Sequence, residues 1–191
     1  MTNEILKPVF AMSQPVHVIC REGKLEDLLG QLATHRLDIV LADEPASSGK
    51  LSPHLQPPAR GMPTLVLVRP ANWRGHPRAS LKSLHGAPGL LPSDNTALRR
   101  AVEAWFQRMD VQPRVVAEFD DLSLMKVVAA EGSGFIVLPS VVADEAMRHY
   151  GFRIIGVAEA CRVQFHAITA ERRLVHPAVV VLTEHARQHL V

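Results

Sequence analysis

Short apolar runs alternate along the chain with segments whose apolar residues recur every three or four positions. The first pattern fits buried strands and the second amphipathic helices, which predicts an α/β protein with mainly parallel strands. Asn3 to Phe10 reads as a short helix, and Val16-His17-Val18-Ile19-Cys20 as a strand. Between Lys24 and His35, Leu25, Leu28, Leu29, Leu32 and Ala33 keep helical spacing. Leu37 to Ala42 reads as a second buried strand, which would close a right-handed strand–helix–strand crossover. Residues 43–61 hold four prolines, three serines and two glycines, the composition of an irregular connection. Thr64 to Val68 is a further strand. Pro70 to Pro92 is mostly turn-forming and ends in a short strand at Leu90 and Leu91.

The second half is more regular. Ser93-Asp94-Asn95 precedes a helix from Ala97 to Met109, with Leu98, Val102, Trp105 and Phe106 on one face. Asp94 or Asn95 is its expected cap, because a short polar side chain can accept the free N–H groups of a first helical turn. Val115 to Phe119 reads as a strand, and Asp120-Asp121 as the cap of a helix from Leu122 to Ala130. Gly132 to Gly134 stops that helix. A strand at Phe135 to Leu138 and a helix from about Val141 to Tyr150 follow. Strands at Phe152–Val157 and Val163–Thr169 and a helix from His176 to Leu190 complete the chain.

This order predicts two α/β lobes. Residues 1–70 and 149–191 form the first, and residues 71–148 are inserted as the second. The expected crossings lie near Leu65 to Arg69 and Phe152 to Ile155. A cleft between two such lobes is the default place for a small ligand.

Composition narrows the function classes. Of the 191 residues, 47% are hydrophobic and 21% charged, which suits a globular protein. No apolar stretch approaches the ~20 residues that cross a bilayer. Met1 to Met12 lacks the charged-then-apolar layout of a signal peptide, so a cytoplasmic setting is expected. Cys20 and Cys161 both sit in apolar runs and read as reduced core residues. The formal charge is +2 and the basic residues are scattered, so these residues are not expected to grip nucleic acid themselves.

Several stretches carry a resemblance. One runs from Cys20 to Leu29 and on from His35 through Leu37-Asp38-Ile39-Val40-Leu41-Ala42-Asp43. Another is Glu118-Phe119-Asp120-Asp121-Leu122-Ser123-Leu124-Met125-Lys126. A third runs from Phe165 to Arg173 and on to His176-Pro177-Ala178-Val179. Together they resemble the effector-binding domain of LysR-type transcriptional regulators. The wording is closest to the NhaR-like subgroup, the sodium-responsive activators of sodium/proton antiporter genes. The resemblance implies two Rossmann-like lobes, as in periplasmic binding proteins, with an effector in the cleft. It implies homodimers or homotetramers, and contact with DNA only through an N-terminal DNA-binding domain. That domain and the first strand of the first lobe are expected to be absent from these residues.

The candidate cleft residues are Ser93, Asp94, Asn95, Thr96, Glu118, Asp120, Asp121, Pro139 and Ser140. Ser93 to Thr96 form a polar helix start, where free N–H groups and the helix dipole favour anions. Plain capping competes with that reading. Glu118, Asp120 and Asp121 offer hard oxygen ligands to a cation. Glu118 and Asp120 point to the same side if both lie in a strand. Against this, an acidic residue before a helix needs no ligand.

Other motifs fail. Gly132-Ser133-Gly134 follows a helix rather than a strand, so it is no dinucleotide loop. Ser47-Ser48-Gly49-Lys50 has Glu44 where a phosphate loop needs glycine. His185 and His189 stand four apart on one helix but lack a third metal ligand, and a solvated face is the simpler reading. His166 reads as a hydrogen-bonded core residue. No cofactor is called for, and no metal set is defined. A regulatory ligand-binding domain is therefore expected. An exported solute-binding protein of a transport system is the alternative, and a small enzyme using Glu118 to Asp121 ranks last.

Overall fold

The computed structural model describes residues 2–45, 52–53, 64–73, 80–94, 96–162, 165–170 and 176–189. The chain divides into two compact units, residues 1–62 with 164–191, and residues 63–163.

In the first unit, helix α1 (Thr2–Phe10) packs on α6 (Pro177–His189). Ile5 and Val9, one turn apart, are its buried positions. Helix α2 (Leu25–Ala33) buries Leu32 completely against Val40 and Ile168, with Leu25, Leu28, Leu29 and Leu37 around them. Full burial of one such leucine is worth roughly 1.5–3 kcal/mol. The described sheet is β1 (Val40–Ala42), β8 (His166–Thr169) and β2 (Ser52–Pro53), in the order β1-β8-β2. Both pairings are antiparallel, where a parallel arrangement was expected.

Val16 to Cys20 forms no strand. No described strand pairs with it, and its side chains are exposed or half-exposed. Its alternating apolar pattern supplies strand propensity but not the partner that a ladder needs. The expected crossover therefore does not form, and Cys20 is exposed rather than a core residue. Cys161 is buried, and burial raises its thiol pKa, with Arg108 offsetting part of the effect.

The second unit holds β3 (Thr64–Pro70), β4 (Pro88–Pro92), α3 (Ala97–Arg108), β5 (Arg114–Phe119), α4 (Leu122–Ala130), β6 (Ile136–Pro139), α5 (Ala143–Tyr150) and β7 (Phe152–Arg162). Strand β3 runs antiparallel to both β6 and β7, and β4 runs parallel to β5. A parallel bridge between Gly89 and Phe135 joins the two groups, giving the order β5-β4-β6-β3-β7. The strands expected to cross between lobes, β3 and β7, thus pair with each other inside one unit. Burial on both faces explains why Leu65 to Val68 and Phe135 to Leu138 are continuous apolar runs.

The join between β4 and β6 is made at close quarters. Phe135 N–H donates to Pro88 O at 3.0 Å, and Leu90 N–H donates to Phe135 O at 2.9 Å. Gly134 permits this approach, because a β-carbon there would stand 2.6 Å from Pro88 O. All four residues of the predicted apolar face of α3 are buried. Phe106 meets Phe135 edge-on, with ring centroids 6.2 Å apart. Helix α5 starts later than expected, because Ser140 to Val142 form a 3₁₀ turn first.

Candidate functional site

Strands β4, β5 and β6 are parallel, so their C-terminal ends share one edge of the second unit's sheet. Pro92 is paired with Phe119, which sets Ser93 beside Asp120. Counting forward from the Gly89–Phe135 bridge sets Ser93 level with Pro139. Ser93, Asp94, Thr96, Asp120, Asp121, Pro139 and Ser140, far apart in the sequence, therefore meet along one rim. In open α/β sheets this is the edge where ligands bind. Asn95 lies outside the described residues.

Local hydrogen bonds fix the rim. Ser93 N–H donates to Phe119 O at 3.0 Å, which ties the ends of β4 and β5 together. Thr96, not Asp94 or Asn95, caps α3: its Oγ1 accepts from Arg99 N–H at 3.0 Å. The same hydroxyl donates to Ser93 O at 3.0 Å. Capping by Thr96 rather than its neighbours follows from where the helical dihedrals begin, which the pattern of polar residues leaves open by a position or two. Asp121 caps α4 as expected, accepting from Ser123 N–H at 2.7 Å. Asp94, Asp120 and Asp121 are exposed, Ser93, Thr96 and Ser140 are half-buried, and Pro139 is buried.

Glu118 and Asp120 do not form the expected same-face pair, because β5 ends at Phe119 and Asp120 stands in the bend beyond it. Glu118 is also not simply solvated. Its Oε1 accepts from Arg99 Nη1 at 2.8 Å. Arg99 is 7% exposed. It also donates through Nε to Glu103 Oε1 at 2.7 Å and through Nη1 to Pro92 O at 2.8 Å. Burial pulls the Arg99 pKa down, but the bonds to Glu118 and Glu103 more than offset this and hold it above its ordinary value. Sequence reasoning passed over Arg99. The available signal was a basic residue in the first turn of a helix, where the dipole disfavours it, four residues before Glu103.

His166 is buried as expected but is not hydrogen-bonded through Nε2. Burial lowers its pKa, and Asp43 offsets part of that shift. His185 is half-buried and has an interaction partner, so it is not on a fully solvated face; the His189 side chain lies outside the described residues. Ser47 to Lys50 and Glu171 to Arg173 lie outside them as well. Among the described residues, no group of three histidine, cysteine or acidic side chains could hold a metal ion. No described helix is long and apolar enough to cross a membrane.

Residues 10–191 match the profile of the LysR substrate binding domain family. The chain is 27% identical to the transcriptional activator protein NhaR of Escherichia coli over 94% of its own length. It spans 58% of the length of that relative. Among solved structures, it superposes with a TM-score of 0.71 at 19% identity on DarR of Vibrio fischeri in complex with DNA, over 98% of this chain and 64% of that one. The regulatory domain of Synechocystis CcmR in complex with 2-PG gives a TM-score of 0.67 at 18% identity, over 98% and 90%. These two likenesses establish the fold.

Proposed function

Because the chain belongs to the LysR substrate binding domain family, we propose that it is the effector-sensing part of a LysR-type transcriptional regulator. It controls transcription through a DNA-binding part outside these residues and works in the cytoplasm as a homodimer or homotetramer. Its curated relative is named as a transcriptional activator, which favours regulation over catalysis.

The observation that carries this reading is the rim at the C-terminal ends of β4, β5 and β6, on a fold matched along nearly the whole chain. Ser93, Asp94, Asn95, Thr96, Glu118, Asp120, Asp121, Pro139 and Ser140 are the proposed effector contacts. Asp94, Asp120 and Asp121 are exposed there, and carboxylate oxygens suit a hard cation. No three described acidic side chains gather round one ion, so the proposed effector is a small cation, sodium first, held by one or two of these carboxylates together with backbone oxygens. Binding biases the protein between conformations to the extent that the ion prefers one of them.

Thermal unfolding in sodium, lithium and potassium chloride, against choline chloride at equal ionic strength, tests this. A ligand at a hundred times its Kd stabilises the folded form by about 2.7 kcal/mol. Sodium is expected to raise the Tm beyond the choline control. Equal Tm values in all four salts would remove the cation. Equal Tm values across a panel of organic metabolites as well would remove the effector role of this chain.

A further inference from the structure

We propose that unit 2 carries an anion site at the end of its sheet opposite the effector rim, formed by Arg69 and Arg153 and suited to the dianion of a phosphate group. Strand β3 pairs antiparallel with β7, and Arg69 is directly opposite Arg153. Residues directly opposite in such a pair share one face, with Cβ atoms about 4.5–5.5 Å apart. Two guanidinium side chains therefore leave the sheet side by side, and like charges in that position destabilise it. Leu65, four residues earlier on β3, pairs with Pro139 at the rim. The arginines thus stand roughly 14 Å along the strand from the proposed effector contacts.

Among the described residues, neither guanidinium has a carboxylate within ion-pairing distance. The sequence explains part of this. Residues 45–93 contain six lysines and arginines but no acid, so β3 and its flanks supply no counter-charge. Arg69 is meanwhile held in place. Its guanidinium carbon lies 6.0 Å from the centre of the Trp73 ring, and its Nη1 donates to Pro70 O at 3.3 Å. Trp73 is buried, so the ring is a fixed platform for the cation. These contacts occupy one donor nitrogen of Arg69. Arg153 is exposed, and no described side chain occupies its fork.

Charge and shape select the occupant. Guanidinium forks match the oxygens of carboxylates and phosphates. One carboxylate brings a single negative charge and leaves one arginine uncompensated. Free phosphate or a phosphate monoester brings nearly two charges and three acceptor oxygens, enough for both forks. Bound there, it turns repulsion between the strands into a bridge. Strand β7 pairs with β3 alone among the described strands, so the bridge also fastens the edge of the sheet.

Titration of the full chain with inorganic phosphate and with glycerol 2-phosphate tests the proposal, read by phosphorus NMR and by Tm in choline salts of equal ionic strength. Sodium is left out, so failure here leaves the effector reading intact. Wild type is expected to bind at least one of the two saturably. Binding of both assigns recognition to the phosphate group alone, and binding of the ester only assigns it to a phosphorylated metabolite. Arg153→Gln and Arg69→Gln are each expected to weaken binding at least about tenfold, as loss of a charge-assisted hydrogen bond does. Arg36→Gln, at an exposed arginine of the first unit, should bind as wild type does. The decisive arm compares stabilities. In chloride, Arg153→Gln should match or exceed the wild-type Tm, because repulsion is relieved; in phosphate it should fall below it. Phosphate strengthens apolar burial in every protein, so this reversal carries more weight than a wild-type shift. Circular dichroism checks that each variant is folded, and Arg153→Gln alone decides should Arg69→Gln not fold. A wild type that binds neither probe overturns the proposal, as does binding retained by the folded arginine variants. Equal weakening by Arg36→Gln overturns it too, as does a Tm difference between wild type and Arg153→Gln that is the same in both salts.

Discussion

Arg99 Nη1 lies 2.8 Å from Glu118 Oε1, a contact that joins the first turn of α3 to the strand β5 beside it. The same nitrogen reaches Pro92 O at the end of β4. One guanidinium thus gathers a helix start and two strand ends immediately beneath the proposed effector rim. Replacing Arg99 by methionine keeps the apolar stem but leaves a buried carbonyl without its donor. We expect a loss of about 1–3 kcal/mol in urea unfolding. Glu118→Gln keeps the Glu103 and Pro92 contacts, and Glu118 is half exposed, so its cost should stay below about 1 kcal/mol. Equal stability of Arg99→Met and wild type would refute the brace.

His166 makes stability depend on pH. Its folded pKa is lowered by burial, so the unfolded chain binds the proton more readily than the folded one. Stability is fully present above the ordinary histidine value and falls as pH drops through that value toward the lower folded one. The slope from this group cannot exceed about 1.4 kcal/mol per pH unit. His166→Leu should flatten this part of a Tm-versus-pH profile. A slope unchanged by the substitution would assign the effect to other groups.

Two glycines give opposite results with alanine. At Gly134 the new β-carbon meets backbone, Pro88 O at 2.6 Å, and the join between β4 and β6 must open. The expected cost is about 1–3 kcal/mol or more. At Gly30, inside α2, nothing lies within 4 Å of the new atom. Alanine there should stabilise by up to about 1 kcal/mol, through helix propensity and a less disordered unfolded chain. Denaturant midpoints that move in the same direction for both would contradict the packing described here.

Asp121 separates capping from effector binding. Asn accepts the Ser123 N–H as well as Asp does, so Asp121→Asn should keep stability, while Asp121→Ala should lose about 1 kcal/mol. Both remove a carboxylate from the rim, so both should shrink a sodium-dependent Tm increase. A full sodium response in folded Asp121→Asn would take this residue out of the proposed site.

The second unit was the more legible in sequence, for a physical reason. Its helices carry their signals locally: Leu98, Val102, Trp105 and Phe106 recur at helical spacing, and Asp121 caps the helix that follows it. Val16 to Cys20 shows the opposite case. Its alternation is as strand-like as that of β5, yet a strand exists only with a partner, and partners are set by distant residues. The rim was half legible. Its polar residues stood out singly, but their meeting along one edge depends on the parallel register of β4, β5 and β6. Arg99 was hidden because its role comes from Glu118, nineteen positions away.

The chain enters unit 2 through β3 and leaves it through β7, and Thr64 is directly paired with Arg162. The two ends of this excursion therefore stand about one strand spacing apart, roughly 4.8 Å. A segment whose termini nearly touch can be lifted out as a cassette, grafted into a host loop, or rejoined end to end and reopened elsewhere, without stretching the backbone at either seam.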